Sequence, residues 1–309
     1  MRTRISLLLL AAVAVATTPT PARAWDELGH KVVARIAWDN MTPLARQRAV
    51  ALLRAAPEGA GLRELMPAMG SDRERDLFVN AGYWPDMIRS RAHPGNRFAH
   101  SDWHYVNFFW EQARPGGPAV ERPDLGTAGE LVTQEQRLAA TLGDATRSAE
   151  DRAVDLAWLI HLVGDAHQPM HNSARVTPQD PEGDRGGNLF LLAGLYPFNN
   201  LHAYWDALVN FTVPWQPDDR TEADYIGSAA SLIQRAYPMQ RMSGQLDPGA
   251  FRDWSHDGLT VAQRAFPVWL ARGQRAPTRY RSYAWDLAEP RLALAGYRLA
   301  DTLNRILGS

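Results

Sequence analysis

Hydrophobic positions beyond residue 24 recur mainly at the three- and four-residue spacing of amphipathic helices. This pattern predicts helices over residues 25–38, 42–56, 73–90, 126–143, 149–168, 202–210, 222–236, 254–271 and 289–307. Thr42 and Pro43 are residue types that cap and begin a helix, and Pro290 falls in the first turn of the last predicted helix. The chain is therefore predicted to be mainly α-helical.

Strand signals are weak in comparison. Residues 187–193 predict one short strand, as the return leg of a hairpin after the turn-rich residues 177–186. Residues 113–123 and 214–219 are rich in proline and predict surface loops. We expect a mainly α fold, a single helical domain with long loops around a site and at most a short hairpin.

The first 24 residues have the make-up of a secretory signal peptide. Arg2 and Arg4 precede an apolar run, and Pro-Ala-Arg-Ala ends at Ala24. The apolar run is too short to span a bilayer, and no later stretch is long and apolar enough. We expect cleavage after Ala24, a functional domain over residues 25–309, and a soluble protein that is secreted or periplasmic and does not insert into membranes.

Charge and cysteine content narrow the possible partners. The net charge is −1, and removing the leader with its three arginines makes the chain more acidic. A mildly acidic protein is not a general electrostatic binder of nucleic acid or membranes, so metal ions would have to supply positive charge for a phosphate substrate. The chain has no cysteine, so packing or metal ions must stabilise it in place of disulfides.

Two histidine–aspartate pairs carry the strongest chemical signal. His161 and Asp165 are four residues apart in a predicted helix, so their side chains share a face. His202 and Asp206 repeat this spacing, and His171 follows Pro169, which should end the first helix. A lone pair of this kind is more often a structural hydrogen bond. Two pairs and an added histidine favour a metal site with nitrogen and oxygen ligands.

The predicted new N-terminus could add ligands. Cleavage would make Trp25 the first residue, and a terminal amine with its own carbonyl can chelate a cation. His30 follows five residues later. Four other histidines are assigned structural or surface roles, and these are His93, His100, His167 and His256.

Several short motifs occur in a fixed order and carry a resemblance to a known family. They are Trp25, Gly29-His30, Trp84-Pro-Asp86, Trp103-His104-Tyr-Val-Asn107, His161-Leu-Val-Gly-Asp165-Ala-His-Gln-Pro-Met-His171, Gly186-Gly-Asn188, Asn200-Leu-His202-x-x-Trp-Asp206 and Ala295-Gly-Tyr-Arg-Leu-Ala. Together they resemble the secreted trinuclear-zinc nucleases of the S1/P1 type, which are single-strand-specific nucleases and 3′-nucleotidases. Each motif is weak alone, but the ordered set spans nearly the whole mature chain.

The resemblance implies three Zn²⁺ ions with nine protein ligands. The first ion would be bound by Asp86, His104, His161 and Asp165. The second would be bound by His171, His202 and Asp206. The third would be bound by the amine and carbonyl of Trp25, by His30 and by Asp165, which it would share with the first.

The resemblance also implies the substrates and the remaining site residues. The substrates would be single-stranded DNA and RNA, hydrolysed to 5′-phosphate products, and 3′-nucleotides; no obligate protein partner is evident. Arg89 and Asn188 would bind the phosphate and act with Asp86 in catalysis. Tyr105 would stack on a base, although a core aromatic is its alternative. Asn107 replaces the aspartate of fungal members, which leaves the base preference open.

Two other functions compete with this prediction. A secreted zinc-dependent phospholipase C shares the trinuclear arrangement and the terminal tryptophan, but is expected to carry glutamate at the position of Asp206. A non-catalytic zinc-binding protein would usually have a flexible histidine-rich tract, and the sequence shows none.

Overall fold

A computed structural model describes residues 25–112, 114, 116–194 and 198–308. The predicted signal peptide, residues 1–24, lies outside these described residues. The α-helices in the described part are α1 (Glu27–Asn40), α2 (Pro43–Arg54), α3 (Arg73–Ala81), α4 (Trp84–Met87), α5 (Leu131–Gly143), α6 (Ala149–His167), α7 (Leu201–Asp206), α8 (Leu208–Thr212), α9 (Glu222–Ala236), α10 (Met239–Met242), α11 (Phe251–Ala262) and α12 (Thr278–Leu307). The strands are β1 (Asn107–Glu111), β2 (Val120–Glu121), β3 (Thr127–Ala128) and β4 (Ser173–Val176).

The helices pack around one hydrophobic core, which confirms the predicted fold class. Helix α6 is buried along most of its length, and α2, α5, α11 and α12 pack around it. Helix α12 also runs along α1, where Gly296 allows close approach, since a Cβ there would lie only 2.5 Å from the Cβ of Ile36. No helix among the described residues combines the length and apolarity needed to cross a membrane.

Several predicted helices have the expected bounds. Helix α9 spans the predicted residues, because Thr221 and Asp224 form a reciprocal capping box at its start. Helices α2 and α6 end within two residues of the prediction. Helix α5 begins five residues later than predicted, since Gly126 and Gly129 have positive φ angles and lie outside the helix.

The helix predicted over residues 73–90 is wrong in its second half. Helix α3 ends at Ala81, and the short helix α4 begins at Trp84. Pro85 has no backbone N–H and cannot donate to the carbonyl of Ala81, so it cannot continue α3. The break frees the carbonyl of Gly82 and lets α4 present Asp86 to the interior.

The last two predicted helices also differ from the structure. Helix α11 covers Phe251–Ala262 and stops nine residues before the predicted end. Helix α12 begins at Thr278, so Pro290 lies inside it and not in its first turn. Interior proline removes one hydrogen bond, but the buried faces on both sides, including Leu287 and Leu292, keep the helix continuous.

The predicted hairpin over residues 177–193 is wrong. Gly186 and Gly187 have φ angles of 63° and 79°, which form a turn and not a strand, and Leu191 makes only an isolated bridge with Asn200. The structure instead contains a small sheet around β1. Strand β1 pairs antiparallel with β2 and β3 and parallel with β4. In the β1–β4 pair, Phe108 lies opposite Ser173. Strand β2 lies within the predicted loop 113–123.

The sheet brings two distant parts of the chain together. His104 precedes β1 by three residues, and His171 precedes β4 by two. The parallel pairing of β1 with β4 continues backwards as a hydrogen bond from the Val106 N–H to the His171 carbonyl at 2.9 Å. The two histidines are therefore placed side by side at the end of α6.

Candidate metal centre

Helix α6 and the turn after it supply three side chains of the candidate site. His161 and Asp165 are one turn apart on α6, and both are fully buried. The helix ends after His167, because Pro169 begins a 3-10 turn that the side-chain oxygen of Gln168 caps, at 2.7 Å from the Met170 N–H. This turn directs the chain so that His171 is also buried beside the others.

The first group contains Asp86, His104 and His161, and its potential ligand atoms lie within 4.8 Å of one another. Nδ1 of His104 lies 2.9 Å from Nε2 of His161 and 3.1 Å from Oδ2 of Asp165. The His161 Nε2 is 3.2 Å from the same carboxylate oxygen. Two imidazole nitrogens and a carboxylate oxygen thus converge as first-row metal ligands do.

The second group contains His30, His161 and Asp165. The His30 ring stacks on the His161 ring with centroids 3.9 Å apart, and its Nε2 lies 3.4 Å from Oδ1 of Asp165. Gly164 makes room for this ring, because a Cβ at that position would lie 2.8 Å from Nδ1 of His30. The two oxygens of Asp165 therefore face different groups, which is the arrangement of a bridging carboxylate.

The third group contains His171, His202 and Asp206. Nε2 of His202 lies 3.1 Å from Nε2 of His171 and 3.6 Å from Oδ2 of Asp206. The other oxygen of Asp206 accepts a hydrogen bond from Nε2 of Gln168 at 2.5 Å. Nδ1 of His171 is 3.8 Å from Oδ1 of Asp165, so this group adjoins the other two.

Backbone carbonyls orient three of the imidazoles. Nδ1 of His161 donates to the Gly82 carbonyl and Nδ1 of His202 to the Gly186 carbonyl, each at 2.8 Å. Nδ1 of His171 donates to the carbonyl of His104. A carbonyl only accepts hydrogen bonds, so Nδ1 carries the proton and Nε2 keeps a lone pair for a metal ion.

Buried polar atoms at the site test whether metal ions fit it. Among the described residues, no hydrogen-bond partner is present for either ring nitrogen of His30, Oδ2 of Asp86, Nε2 of His104 or Oδ1 of Asp165. Buried polar groups are rarely left without partners, so this concentration of partnerless atoms in one place fits a site for cations. The donor set of imidazoles and carboxylates without thiolates fits zinc and similar divalent ions.

The pKa shifts of the buried acids and imidazoles also fit a site for cations. Burial raises the pKa of Asp165 to about 7, against the lowering effect of His161, and raises that of Asp206 well above its ordinary value. Burial likewise lowers the pKa of His30 and His104 well below the usual range. Without positive ions, burial favours the neutral forms of these two acids and two imidazoles, and bound cations would restore the carboxylates.

The predicted phosphate-binding residues lie at the edges of these groups. Arg89 lies two residues past the end of α4, and its Nη1 is 3.2 Å from Oδ1 of Asp86. Asn188 is half-buried, and its Nδ2 donates to the carbonyl of Arg185 at 2.8 Å. It follows the turn whose Gly186 carbonyl binds His202.

The predicted base-binding residues follow His104 along the chain. Tyr105 and Asn107 are both half-buried, and Asn107 is the first residue of β1. Gly129 packs on Tyr105, since a Cβ there would lie 2.6 Å from its ring. The Trp25 side chain is fully buried next to α1.

The four remaining histidines have structural partners. Nδ1 of His167 donates to the Val163 carbonyl at 2.7 Å, and its Nε2 accepts from Nη1 of Arg298 at 3.0 Å. The other three lie outside the three groups: His93 accepts from the Gly95 N–H, His100 stacks on Trp103, and the exposed His256 pairs with Glu121.

Sequence reasoning missed the groups that hold these histidine and aspartate side chains in place. Gln168 fixes Asp206, and the carbonyls of Gly82 and Gly186 fix two histidines. Gln168 lies within the motif that runs from His161 to His171, and this position was the only sequence signal that could have identified it. Backbone carbonyls leave no trace in residue type, so only the fold shows them.

A helical domain that gathers buried imidazoles and carboxylates into three adjoining groups has the make-up of a metallohydrolase. The family model for S1/P1 nuclease matches residues 25–308. The chain belongs to the S1/P1 nuclease family.

Relatives with curated names agree with this membership. The chain is 23% identical to endonuclease 5 of Arabidopsis thaliana over 312 residues, which cover 93% of this chain and 92% of that protein. It is 24% identical to endonuclease 2 of the same plant, over 92% of this chain and 91% of the relative. It is also 24% identical to nuclease P1 of Penicillium citrinum, but that match covers 59% of this chain and spans only 57% of the length of nuclease P1.

Proposed function

We propose that the protein is an exported zinc-dependent endonuclease. It would hydrolyse phosphodiester bonds of single-stranded DNA and RNA to 5′-phosphate products and would also act as a 3′-nucleotidase. The observation that carries this proposal is the set of three adjoining histidine–carboxylate groups in a chain of a nuclease family. The proposed export follows from the leader-like residues 1–24 and from a family match that starts at Trp25.

The groups accommodate the proposed ligand sets. Asp86, His104 and His161 of the first group would hold one Zn²⁺ together with Asp165. His171, His202 and Asp206 of the third group would hold another. The Trp25 terminus, His30 and Asp165 would hold a third, as the separate contacts of the two Asp165 oxygens allow. Bound ions would activate water near neutral pH and offset phosphate charge, which a mildly acidic chain cannot do alone.

The side chains around the groups would bind and orient the substrate. Arg89, held beside Asp86, would bind two phosphate oxygens with its planar guanidinium. Asn188 would donate a hydrogen bond to the phosphate after exchanging its contact with the Arg185 carbonyl. Tyr105 would stack on a base, which tolerates any sequence, and Asn107 would contact a base edge.

The direct test uses the natively cleaved protein. Metal content is measured by elemental analysis, and the protein is assayed on single-stranded DNA, on RNA and on phosphatidylcholine vesicles. We expect about three ions per chain and cleavage of both nucleic acids with 5′-phosphate ends. Release of phosphocholine instead would favour the phospholipase C alternative. Intact phosphodiesters in a fully metal-loaded sample would favour a metal-binding protein without catalytic activity.

Arg89 provides a sharper test of substrate binding. We expect Arg89→Gln to lower kcat/KM by about 10²-fold, because it removes a charged donor from the transferring phosphate. Metal content should be unchanged, since Arg89 contacts Asp86 without being a potential ligand. The control is Arg91→Gln, an exposed arginine two residues later. Equal activities of the two variants would contradict the role of Arg89.

The proposed N-terminal ligand predicts sensitivity to extension. A protein with extra residues before Trp25 should lose one of three ions and most activity, because its terminal amine no longer lies at the site. The same extension placed after Ser309 should have no effect. Elemental analysis and the nuclease assay measure both outcomes. Full metal content and turnover in the N-terminally extended protein would exclude Trp25 as a ligand.

A further inference from the structure

Asp26, directly after the proposed terminal residue, links three elements of the site. Its backbone N–H donates to the carbonyl of Asp206 at 3.0 Å. One carboxylate oxygen caps α1 by accepting from the Gly29 N–H at 3.1 Å. The other oxygen accepts from Nδ2 of Asn210 on α8. One residue thus connects α1, the end of α7 and α8.

The same segment is fixed on its other side by packing. The Trp25 side chain is fully buried, and it folds back over the first turn of α1. Gly29 permits this, because a Cβ there would lie only 2.7 Å from the Cβ of Trp25. Asp26 and Gly29 together leave the backbone at Trp25 little freedom to move.

The contacts of Asp26 reach two of the metal groups. The Asp26 N–H donates to the carbonyl of Asp206, which belongs to the third group. Asp26 also caps α1, and this helix carries His30 of the second group. Asp26 is not itself a member of any of the three groups found among the described residues. Its carboxylate is already engaged by Gly29 and Asn210.

We propose that Asp26, together with Asn210, is a positioning residue that holds the processed N-terminus at the metal centre; this rests on the proposed function. The hydrogen bonds fix the Trp25–Asp26 peptide before any ion binds. The terminal amine is then presented to an ion without the entropy cost of ordering a free chain end. The second and third groups are thereby coupled through one side chain.

The chain offers an unusually simple readout of this role. Lys31 is its only lysine, so the mature protein has two amines, that of Lys31 and the α-amine of Trp25. The Lys31 ammonium is buried and lies 2.5 Å from both Glu27 and Glu222. Acylation by an amine-selective reagent, followed by peptide mapping, therefore reports separately on the N-terminus.

The experiment compares Asp26→Ala, Asp26→Asn and Asn210→Ala with a matched control in natively cleaved protein. The control is Asp72→Ala, which removes a similar N-cap, at 3.2 Å from the Arg75 N–H, from a helix without metal ligands. Metal content and the α-amine acylation rate are measured with metal bound and after chelation. Melting temperature is recorded for each variant.

We expect Asp26→Ala to lose one ion of three and to raise the acylation rate roughly tenfold, also in the chelated protein, as loss of a charge-assisted hydrogen bond implies. Asn210→Ala should show a smaller change of the same kind. Asp26→Asn keeps the capping oxygen and should restore most of the protection. Asp72→Ala should lower the melting temperature but leave metal content and acylation unchanged.

The proposal is overturned if Asp26→Ala behaves like Asp72→Ala, with full metal content and normal acylation despite a lower melting temperature. Failure of the proposed function looks different. In that case wild-type protein binds no ions, yet the acylation rates of chelated wild type and Asp26→Ala still differ if Asp26 positions the terminus.

Discussion

Replacing Asp165 with asparagine is expected to abolish activity and to remove at least two of the three ions. Its Oδ1 faces His30 and its Oδ2 faces both His104 and His161, so one carboxylate serves two groups. Asparagine preserves the shape but offers one weak oxygen ligand and an amide that cannot bind a cation. We expect kcat/KM to fall by at least about 10³-fold, since losing a single charge-stabilising donor already costs 10² to 10³.

The matched control for this variant lies on the same helix. Asp155 is also buried on α6, but its carboxylate accepts from Oγ1 of Thr141 at 2.8 Å and lies ten residues before Asp165. Asp155→Asn should keep full metal content and activity, with at most a modest loss of stability. Elemental analysis and the nuclease assay compare the two proteins. Three ions bound to the Asp165→Asn protein would disprove the bridging role.

Removing the metal ions is expected to lower the melting temperature by at least about 10 °C. An ion present at about 10³ times its Kd stabilises a fold by about 4 kcal/mol, and a domain of this size shifts by a few degrees per kcal/mol. We expect the ions to stabilise the fold because buried atoms of His30, Asp86 and His104 have no hydrogen-bond partner among the described residues. Ions at the site would satisfy atoms that otherwise destabilise the core.

Scanning calorimetry with and without chelator measures this effect, and two variants refine it. His161→Ala should destabilise the protein, abolish turnover and reduce the response to chelator, because His161 belongs to two groups and metal binding contributes folding energy. His256→Ala, at an exposed histidine paired with Glu121, should keep the full wild-type response. A wild-type melting temperature that chelation leaves unchanged would count against metal-dependent stability.

Local patterns predicted the helices where capping and periodicity agree. The capping box at Thr221 and the N-cap at Thr42 gave accurate bounds, since both are set by neighbouring residues. Helix α12 was predicted too short because Pro290 suggests a start. The structure overrides this preference, because packing against α1 supports the helix on both sides of the proline.

The sheet could not be predicted from the sequence, because it depends on tertiary pairing between short strands. Strands β2 and β3 have only two residues each, and β4 pairs in parallel with β1 from more than sixty residues away. Short strands carry almost no periodic signal, and long-range pairing carries none. The apolar residues after Gly187 suggested a strand, but the positive φ of that glycine allows a turn which packs on Met170 and Leu201.

The candidate site was more predictable than the sheet around it. The spacing of candidate ligands, such as His161 and Asp165, follows directly from helix geometry, so these residues could be chosen from the sequence. Whether the separate segments meet depends on tertiary structure, and the resemblance to a family supplied that expectation. The groups that hold these side chains depend on tertiary contacts, such as the hydrogen bond from Nε2 of Gln168 to Asp206 and the one from the Asp26 N–H to the Asp206 carbonyl, and the sequence does not give those distances.

The three carbonyls that orient His161, His171 and His202 have a consequence for the lifetime of a bound ion. They belong to Gly82, His104 and Gly186, which lie in three separate segments of the backbone. A ring that is held in this way cannot swing away until its segment moves. Exchange of ions with solution is therefore expected to be slow and to follow the rate of local backbone opening, with the steep temperature dependence of that motion.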